Sequence, residues 1–356
     1  MRATEETMKE LKRQSNIELL RALLMFMVIV LHYNNAEMGG GFAAASGTSL
    51  MLLKWMETLC ICAVNCFVLI SAYFMSSNPK RTWIKPVHLL AMVSGYNLLS
   101  YLLQMFVTRT AGFDIRTLIM TLVPANWFVV LFCVLYGISP YINVLFEHLD
   151  KKQLQRCIVL CLILFSVYPT VLEIGAARLT GSAEWLGLGT VTMSSSMGGY
   201  TIVNFVLMYL IGGYLRKYPV KYGKVHCLGV FLAASVIDYG ISFFSSNYTS
   251  YANPLVIVQA VALFWTVKQW KLKPNRIING VAKSSFGIYL LHTSSFMLRD
   301  VWGKFYITEY VQKTPGIVLC HLLAACVSMY LLCLVIDFVC RNIVSPLVNK
   351  IEKVLL

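Results

Sequence analysis

The chain has 356 residues, of which 58% are hydrophobic and only 13% charged, with a mean hydropathy of +0.68. Soluble domains hold roughly 45–50% apolar and about 25% charged residues, so a water-soluble globular fold is excluded. Thirty Lys and Arg against 16 Asp and Glu leave a formal charge of +14, but these basic residues punctuate long apolar runs and do not cover one face, which argues against a nucleic-acid surface.

A helix needs about 20 mostly apolar residues to cross a bilayer. On that criterion the sequence predicts ten spans, at about 16–36, 51–75, 86–107, 118–146, 157–176, 200–215, 225–245, 253–268, 277–297 and 315–340. The sixth and eighth are short, and the fourth carries Pro124 and Pro140. The stretch ahead of the first span carries both signs of charge, and the span lacks a small-residue cleavage site, so it reads as an uncleaved signal-anchor.

Orientation follows from the turns. Lys80, Arg81 and Lys85, then Lys151, Lys152 and Arg156, then Arg216, Lys217, Lys221 and Lys224, then Lys268, Lys271, Lys273 and Arg276 fall in alternate turns. The intervening turns hold only Arg109, Arg116, Arg178, Arg299, Lys304 and Lys313. With the basic turns inside, an even number of spans puts both termini in the cytoplasm. The expectation is an all-α, polytopic helical bundle in the cell membrane, a single domain over 1–356. Cytoplasmic segments lie at 1–15 and 341–356, and no soluble domain is fused to it. The longest outer loop, about 177–199, is rich in Gly and Ser and suits a flexible connector as well as an acceptor-binding role.

The 11 cysteines fall mostly inside the apolar runs with no CxxC pair and no Cys/His metal spacing, so they read as small hydrophobes, and no metal site is expected. Charges inside spans are costly and mark function by default. Glu18, Arg21 and His32 in the first span are the clearest set. Arg21 and His32 are eleven residues apart, which is about 16 Å along a helix and about 20° around it, so both project from one face. Glu18 lies one turn inward of Arg21, within pairing reach. Arg21 alone would also suit a snorkelling anchor, and His32 alone a hydrogen-bonded core histidine. The ninth span repeats the theme in Lys283-Ser-Ser-Phe-Gly-Ile-Tyr289-Leu-Leu-His292, placing His292 at about the depth of His32. His88, His148, His226 and His321 read as interfacial or core residues.

These residues resemble the membrane-bound acyltransferase 3 family, whose first helix carries an Arg, ten residues, then a His, with an acidic residue three before the Arg. Arg21, His32 and Glu18 match it. The second-helix stretch of that family is similar to Asn65-Cys-Phe67-Val-Leu-Ile-Ser71-Ala72-Tyr73, with Ala72 where Gly is usual. The basic cluster Lys80-Arg81-Thr-Trp-Ile-Lys85-Pro86, the pairs Trp127-Phe128 and Pro140-Tyr141, and the run ending at His292 also look similar, in order along nearly the whole chain. Some relatives carry an extra soluble domain, and none is expected here.

The resemblance implies transfer of an acyl group from a cytoplasmic acyl-CoA, most simply acetyl-CoA, to a hydroxyl of an extracytoplasmic or lipid-linked glycan. It implies catalytic roles for His32 and His292, with Arg21, Lys80, Arg81 and Lys85 holding the CoA phosphates. Glu18, Asn65, Ser71, Tyr73 and Tyr289 would support the site or the acceptor. A neutral imidazole at His32 can take the proton of the attacking hydroxyl or accept the acyl group itself, and the sequence leaves both routes open. His292 suits holding the acceptor, polarising the thioester carbonyl, or a hydrogen-bonded structural role. The competing reading is a secondary transporter or flippase of a glycan precursor using Glu18, Arg21 and His32 as a substrate or proton path. Against it, the polar groups show no matching second set in a repeated half. A sensor or scaffold has less support, since no signalling domain is evident.

Overall fold

The computed structural model describes residues 13–77, 82–180 and 198–355, with side chains described through 175 and from 198 to 342. The described chain is helical, without strands. The α-helices of eight or more residues, in chain order, are α1 (Ser15–Asn34), α2 (Gly47–Cys60), α3 (Ala63–Met75), α4 (Ile84–Leu103), α5 (Ile115–Leu122), α6 (Trp127–His148) and α7 (Lys151–Leu162). They continue as α8 (Tyr168–Thr180), α9 (Ile202–Lys217), α10 (Lys224–Ile241), α11 (Pro254–Lys268), α12 (Arg276–Lys283), α13 (Ser285–His292) and α14 (Pro315–Leu355). Polar side chains start many of them by accepting the free backbone N–H groups of the first turn. Asp114, Asn126, Thr201, Asn253 and Asn275 cap in this way, Asp150 and Gln153 form a reciprocal capping box, and Pro254 takes the first helical position after Asn253.

Eight segments among the described residues are long and apolar enough to cross a membrane: 15–34, 47–75, 84–108, 115–148, 151–175, 224–241, 246–268 and 315–342. The protein is an all-α, multi-pass membrane protein. The sixth and ninth predicted spans differ from expectation. The sixth is the 16-residue helix α9. The ninth is interrupted at Ser284, between α12 and α13, and again after His292, where a π-helical turn follows at Met297–Val301. Such breaks are tolerated at membrane depth only where the freed backbone groups are buried in protein. Here Ser284, His292 and Ser294 are all buried. The flanks of α6 expose Val130, Val134, Tyr141 and Val144, an apolar surface that suits hydrocarbon and not water.

The chain divides into two compact units. The first comprises residues 1–53, 91–124 and 272–356. Its centre is α1, apolar nearly all round and packed against α12, α13 and α14, with Leu20, Leu24, Met25, Ile29 and Val30 essentially removed from solvent. The second unit comprises 54–90 and 125–271, built on α3 against α9 and α11, with α10 on α11 and α6 on α9. Close approach there depends on Gly212 and Gly213: a Cβ at Gly212 would meet Ala72 Cβ at 2.6 Å and the Leu69 carbonyl at 2.9 Å, and one at Gly213 would strike the Phe146 ring. Small residues at such crossings let helices pack by direct backbone contact, the main attraction available in lipid. All 11 cysteines are free thiols.

Candidate active site

The first unit holds three of the six histidines, His32, His292 and His321. His32 lies in the last turn of α1 and His292 at the end of α13, and the packing of α13 on α1 brings His32 Nδ1 to 2.6 Å from His292 Nε2. His292 is completely buried, and its Nδ1 lies 2.7 Å from the Ile288 carbonyl one turn back. A carbonyl oxygen can only accept, so Nδ1 of His292 carries a hydrogen. In a neutral His292 ring, Nε2 is then the acceptor, and His32 must donate its Nδ1–H to it. The consequence is chemical: a neutral His32 in this chain of bonds has its lone pair on Nε2. The segment beyond His292 is pinned by Trp302, fully buried, whose indole N–H donates to the His292 carbonyl at 3.1 Å. Tyr289 stands edge-on to the His292 ring, with centroids 6.1 Å apart.

At the other end of α1, Arg21 donates to Glu18 Oε1 at 3.2 Å, and Glu18 Oε2 lies 3.7 Å from Arg13. Among the described residues one guanidinium N–H is used in this way, and the side chain keeps 32% of its exposure, so an anion can reach the rest. Eleven residues of helix between Arg21 and His32 set a separation of about 16 Å along α1. Ser15, at the start of α1, donates to Asn279 and accepts from the Asn275 backbone, tying the α1 entrance to α12.

Three features of this unit were not singled out in the sequence. Tyr33, beside His32, bonds His321 Nδ1 at 2.9 Å, while His321 Nε2 donates to the Phe305 carbonyl at 2.8 Å and the ring stacks on Tyr310 with centroids 4.0 Å apart. Asp337, wholly buried on α14, accepts from Tyr96 and, at 2.7 Å, from Arg341, which also donates to Ser284. Asp300 sits among Gln104, Thr110, Ser100 and Ser295. The signal for Asp337 was present, since a carboxylate inside an apolar span is a functional or structural marker. His321 reads in the sequence only as an interfacial or core residue, because what matters is its contact with Tyr33, 288 residues away in sequence.

The remaining sequence candidates belong to the second unit. Asn65 donates to the Tyr251 carbonyl at 2.8 Å and accepts from Asn204 at 2.9 Å, so both ends of its amide are engaged. Ser71 donates back to the Phe67 carbonyl in its own helix. The Tyr73 ring lies under two cations, Arg216 at 5.0 Å and Lys268 at 5.7 Å from its centroid. Lys85 is exposed near the start of α4, and Lys80 and Arg81 lie outside the described residues, as does most of the 177–199 loop. Also in this unit, Asp238 accepts from Asn253 at 2.9 Å, and Lys54 donates to the Ser242 carbonyl at 2.6 Å. Among the described residues no group of three or more His, Cys, Asp or Glu is placed to hold a metal ion.

A multi-pass α-helical membrane protein with two contacting imidazoles, His292 buried and His32 half-buried, defines the class. The family model described as an acyltransferase domain, that of the acyltransferase 3 family, matches residues 14–338, nearly the whole chain, and the protein belongs to that family. No significant match was found among curated proteins or among solved structures. The protein is therefore a membrane acyltransferase, taking an acyl group from a donor to an acceptor.

Proposed function

We propose that this acyltransferase moves the acyl group of a cytoplasmic acyl-CoA, acetyl-CoA in the simplest case, to a hydroxyl of a glycan or lipid-linked sugar on the outer side of the cell membrane. The observation that carries the mechanism is the chain of bonds from the Ile288 carbonyl through His292 to His32, which leaves the lone pair of His32 on Nε2. That nitrogen is the general base. It takes the proton of the acceptor hydroxyl as the hydroxyl oxygen bonds to the thioester carbonyl carbon. The C–S bond then breaks, and the CoA thiolate leaves with the proton returned by the His32 imidazolium. His292 holds the tautomer and the ring orientation of His32, the part a carboxylate plays in serine-protease triads. It is a positioning residue and does not touch the substrate.

The donor's phosphates suit the opposite end of α1. Arg21 offers guanidinium donors of the kind that match phosphate oxygens, and the family resemblance adds Lys80, Arg81 and Lys85 to that role. Glu18 holds Arg21 in place. A pantetheine arm spans a distance of the order of the about 16 Å between Arg21 and His32, so the acyl group crosses the membrane while the charged end of CoA stays inside. The alternate clustering of basic residues supports this orientation, with both termini cytoplasmic.

The test is transfer of label from radiolabelled acetyl-CoA in membranes holding wild type or His32→Ala at equal abundance. We expect transfer to be lost in the variant, and wild-type transfer by it would exclude His32 as the base. Mass spectrometry of surface glycans from cells with and without the protein identifies the acceptor.

A further inference from the structure

Two π-helical turns interrupt the first unit, Gln104–Thr108 at the end of α4 and Met297–Val301 after α13. Such turns cost regular hydrogen bonding and recur at functional sites. The first closes on Arg109, whose backbone is left-handed at φ 55°. Between the two turns lies a polar cluster, beginning three residues beyond His292. Ser100 and Ser295 hydroxyls meet at 3.0 Å, and Ser100 also accepts the Phe296 N–H at 2.8 Å. Ser295 reaches Gln104 Oε1 at 3.5 Å. At its far end stands Asp300, 8% exposed.

Asp300 is poorly satisfied. Among the described residues its Oδ2 receives two long bonds, from Thr110 at 3.3 Å and Gln104 at 3.5 Å. Its Oδ1 has no hydrogen-bond partner, and no Lys, Arg or His lies within ion-pair distance of it among the described residues. That oxygen is not among the buried side-chain atoms left without a partner, so it is not sealed from solvent and can take a donor from outside. By contrast, the buried Asp337 in the same unit has both Tyr96 and Arg341. Oδ1 is thus an open acceptor, and the neighbouring Gln104 amide can both donate and accept.

We propose that Asp300 and Gln104 form the acceptor subsite and bind two neighbouring hydroxyls of a sugar. Asp300 Oδ1 accepts from one hydroxyl, and the Gln104 amide bonds the next. This rests on the proposed transfer to a glycan hydroxyl and names the residues that would select it. The same residues explain why the chain is broken beyond His292. The π turn at Met297–Val301 carries Asp300 at the edge of the cluster, and Trp302 anchors that turn back to the His292 carbonyl.

The test uses the whole protein in detergent with methyl glycosides of glucose, galactose, mannose and N-acetylglucosamine as probes, read by saturation-transfer NMR. Acetyl-CoA binding and the thermal midpoint are followed in parallel. In the wild type at least one glycoside should give a saturable signal. In Asp300→Asn its dissociation constant should rise at least tenfold, with acetyl-CoA binding unchanged. Gln104→Leu should give a smaller rise, and it becomes the deciding variant if Asp300→Asn does not fold. Wild-type sugar binding in a folded Asp300→Asn or Gln104→Leu would overturn the proposal. So would loss of sugar signal accompanied by loss of donor binding and of the thermal midpoint in Gln104→Leu, or a wild type that gives no sugar signal. Sugar binding without any acyl transfer would instead overturn the proposed transfer reaction and leave the subsite standing.

Discussion

Replacing His292 with alanine removes the acceptor for the His32 Nδ1–H and nothing that touches the substrate in the proposed mechanism. The hydrogen bond is between neutral rings at 2.6 Å, and such bonds contribute about 1 ± 0.5 kcal/mol net. Without it the His32 ring divides between two tautomers, only one of which has the lone pair on Nε2, a further factor of about two. With about 1.4 kcal/mol per factor of ten, the expected loss in kcat is about tenfold, with little change in the KM for acyl-CoA. His32→Ala should cost about 10²–10⁴ by loss of the base. Because His292 acts through His32, the double variant should be no slower than His32→Ala alone, a non-additive outcome expected of residues that work as a unit. Initial rates of label transfer from acetyl-CoA over a range of donor concentrations, for wild type, both single variants and the double, give the cycle. A tenfold loss that persists for His292→Ala in the His32→Ala background would refute the positioning role. So would a loss confined to donor KM. Thermal midpoints measured alongside separate this from the cavity left by a buried ring, which lowers stability without cancelling in the cycle.

Arg21→Gln should raise the KM for acyl-CoA about 10- to 100-fold with kcat retained at saturation, as expected for one charge-assisted contact of about 1.5–3 kcal/mol, and the effect should shrink at high salt. Equal KM values in wild type and variant at low salt would remove Arg21 from the donor site. A methyl group at Gly287 would land on the Asp337 carboxylate, so Gly287→Ala should destabilise the protein by about 1–3 kcal/mol through overpacking, read as a lower thermal midpoint in detergent, and an unchanged midpoint would contradict the packing described. Asn65→Leu should cost about 1–3 kcal/mol by removing its buried hydrogen bonds to the Tyr251 carbonyl and the Asn204 amide. Donor KM should stay at its wild-type value, and a selective rise in KM with full stability would give Asn65 a substrate role instead.

Much of the architecture was legible in the chain because the bilayer imposes a one-dimensional rule: about 20 apolar residues per crossing, with every backbone group satisfied within the helix. That rule located eight of the ten expected spans, and it weakened where the rule itself is relaxed. The interruption at Ser284 is permitted by burial among α12, α13 and α14, and α9 is short, with Gly212 and Gly213 at its close crossings. Hydropathy does not report who a helix's neighbours are. The first-span set Glu18, Arg21 and His32 was equally legible, since within one helix the spacing of residues fixes their geometry.

What the sequence alone determined is therefore local and periodic: membrane residence, helical class, the placement of Arg21 and His32 on one face of α1, and the motifs that relate the chain to its family. What only the tertiary structure decided is which side chains meet across hundreds of residues. His32 and His292 stood at similar depths in the sequence, but their contact depends on the packing of α13 against α1. The tautomer of His32 depends further on the Ile288 carbonyl behind His292. Asp300, unremarkable beside Arg299 in the sequence, acquires its character from donors that its own neighbourhood withholds. The physical reason is common to all three: hydrogen bonding and desolvation depend on the few atoms within about 3 Å of a group, and in this fold those atoms come from distant parts of the chain.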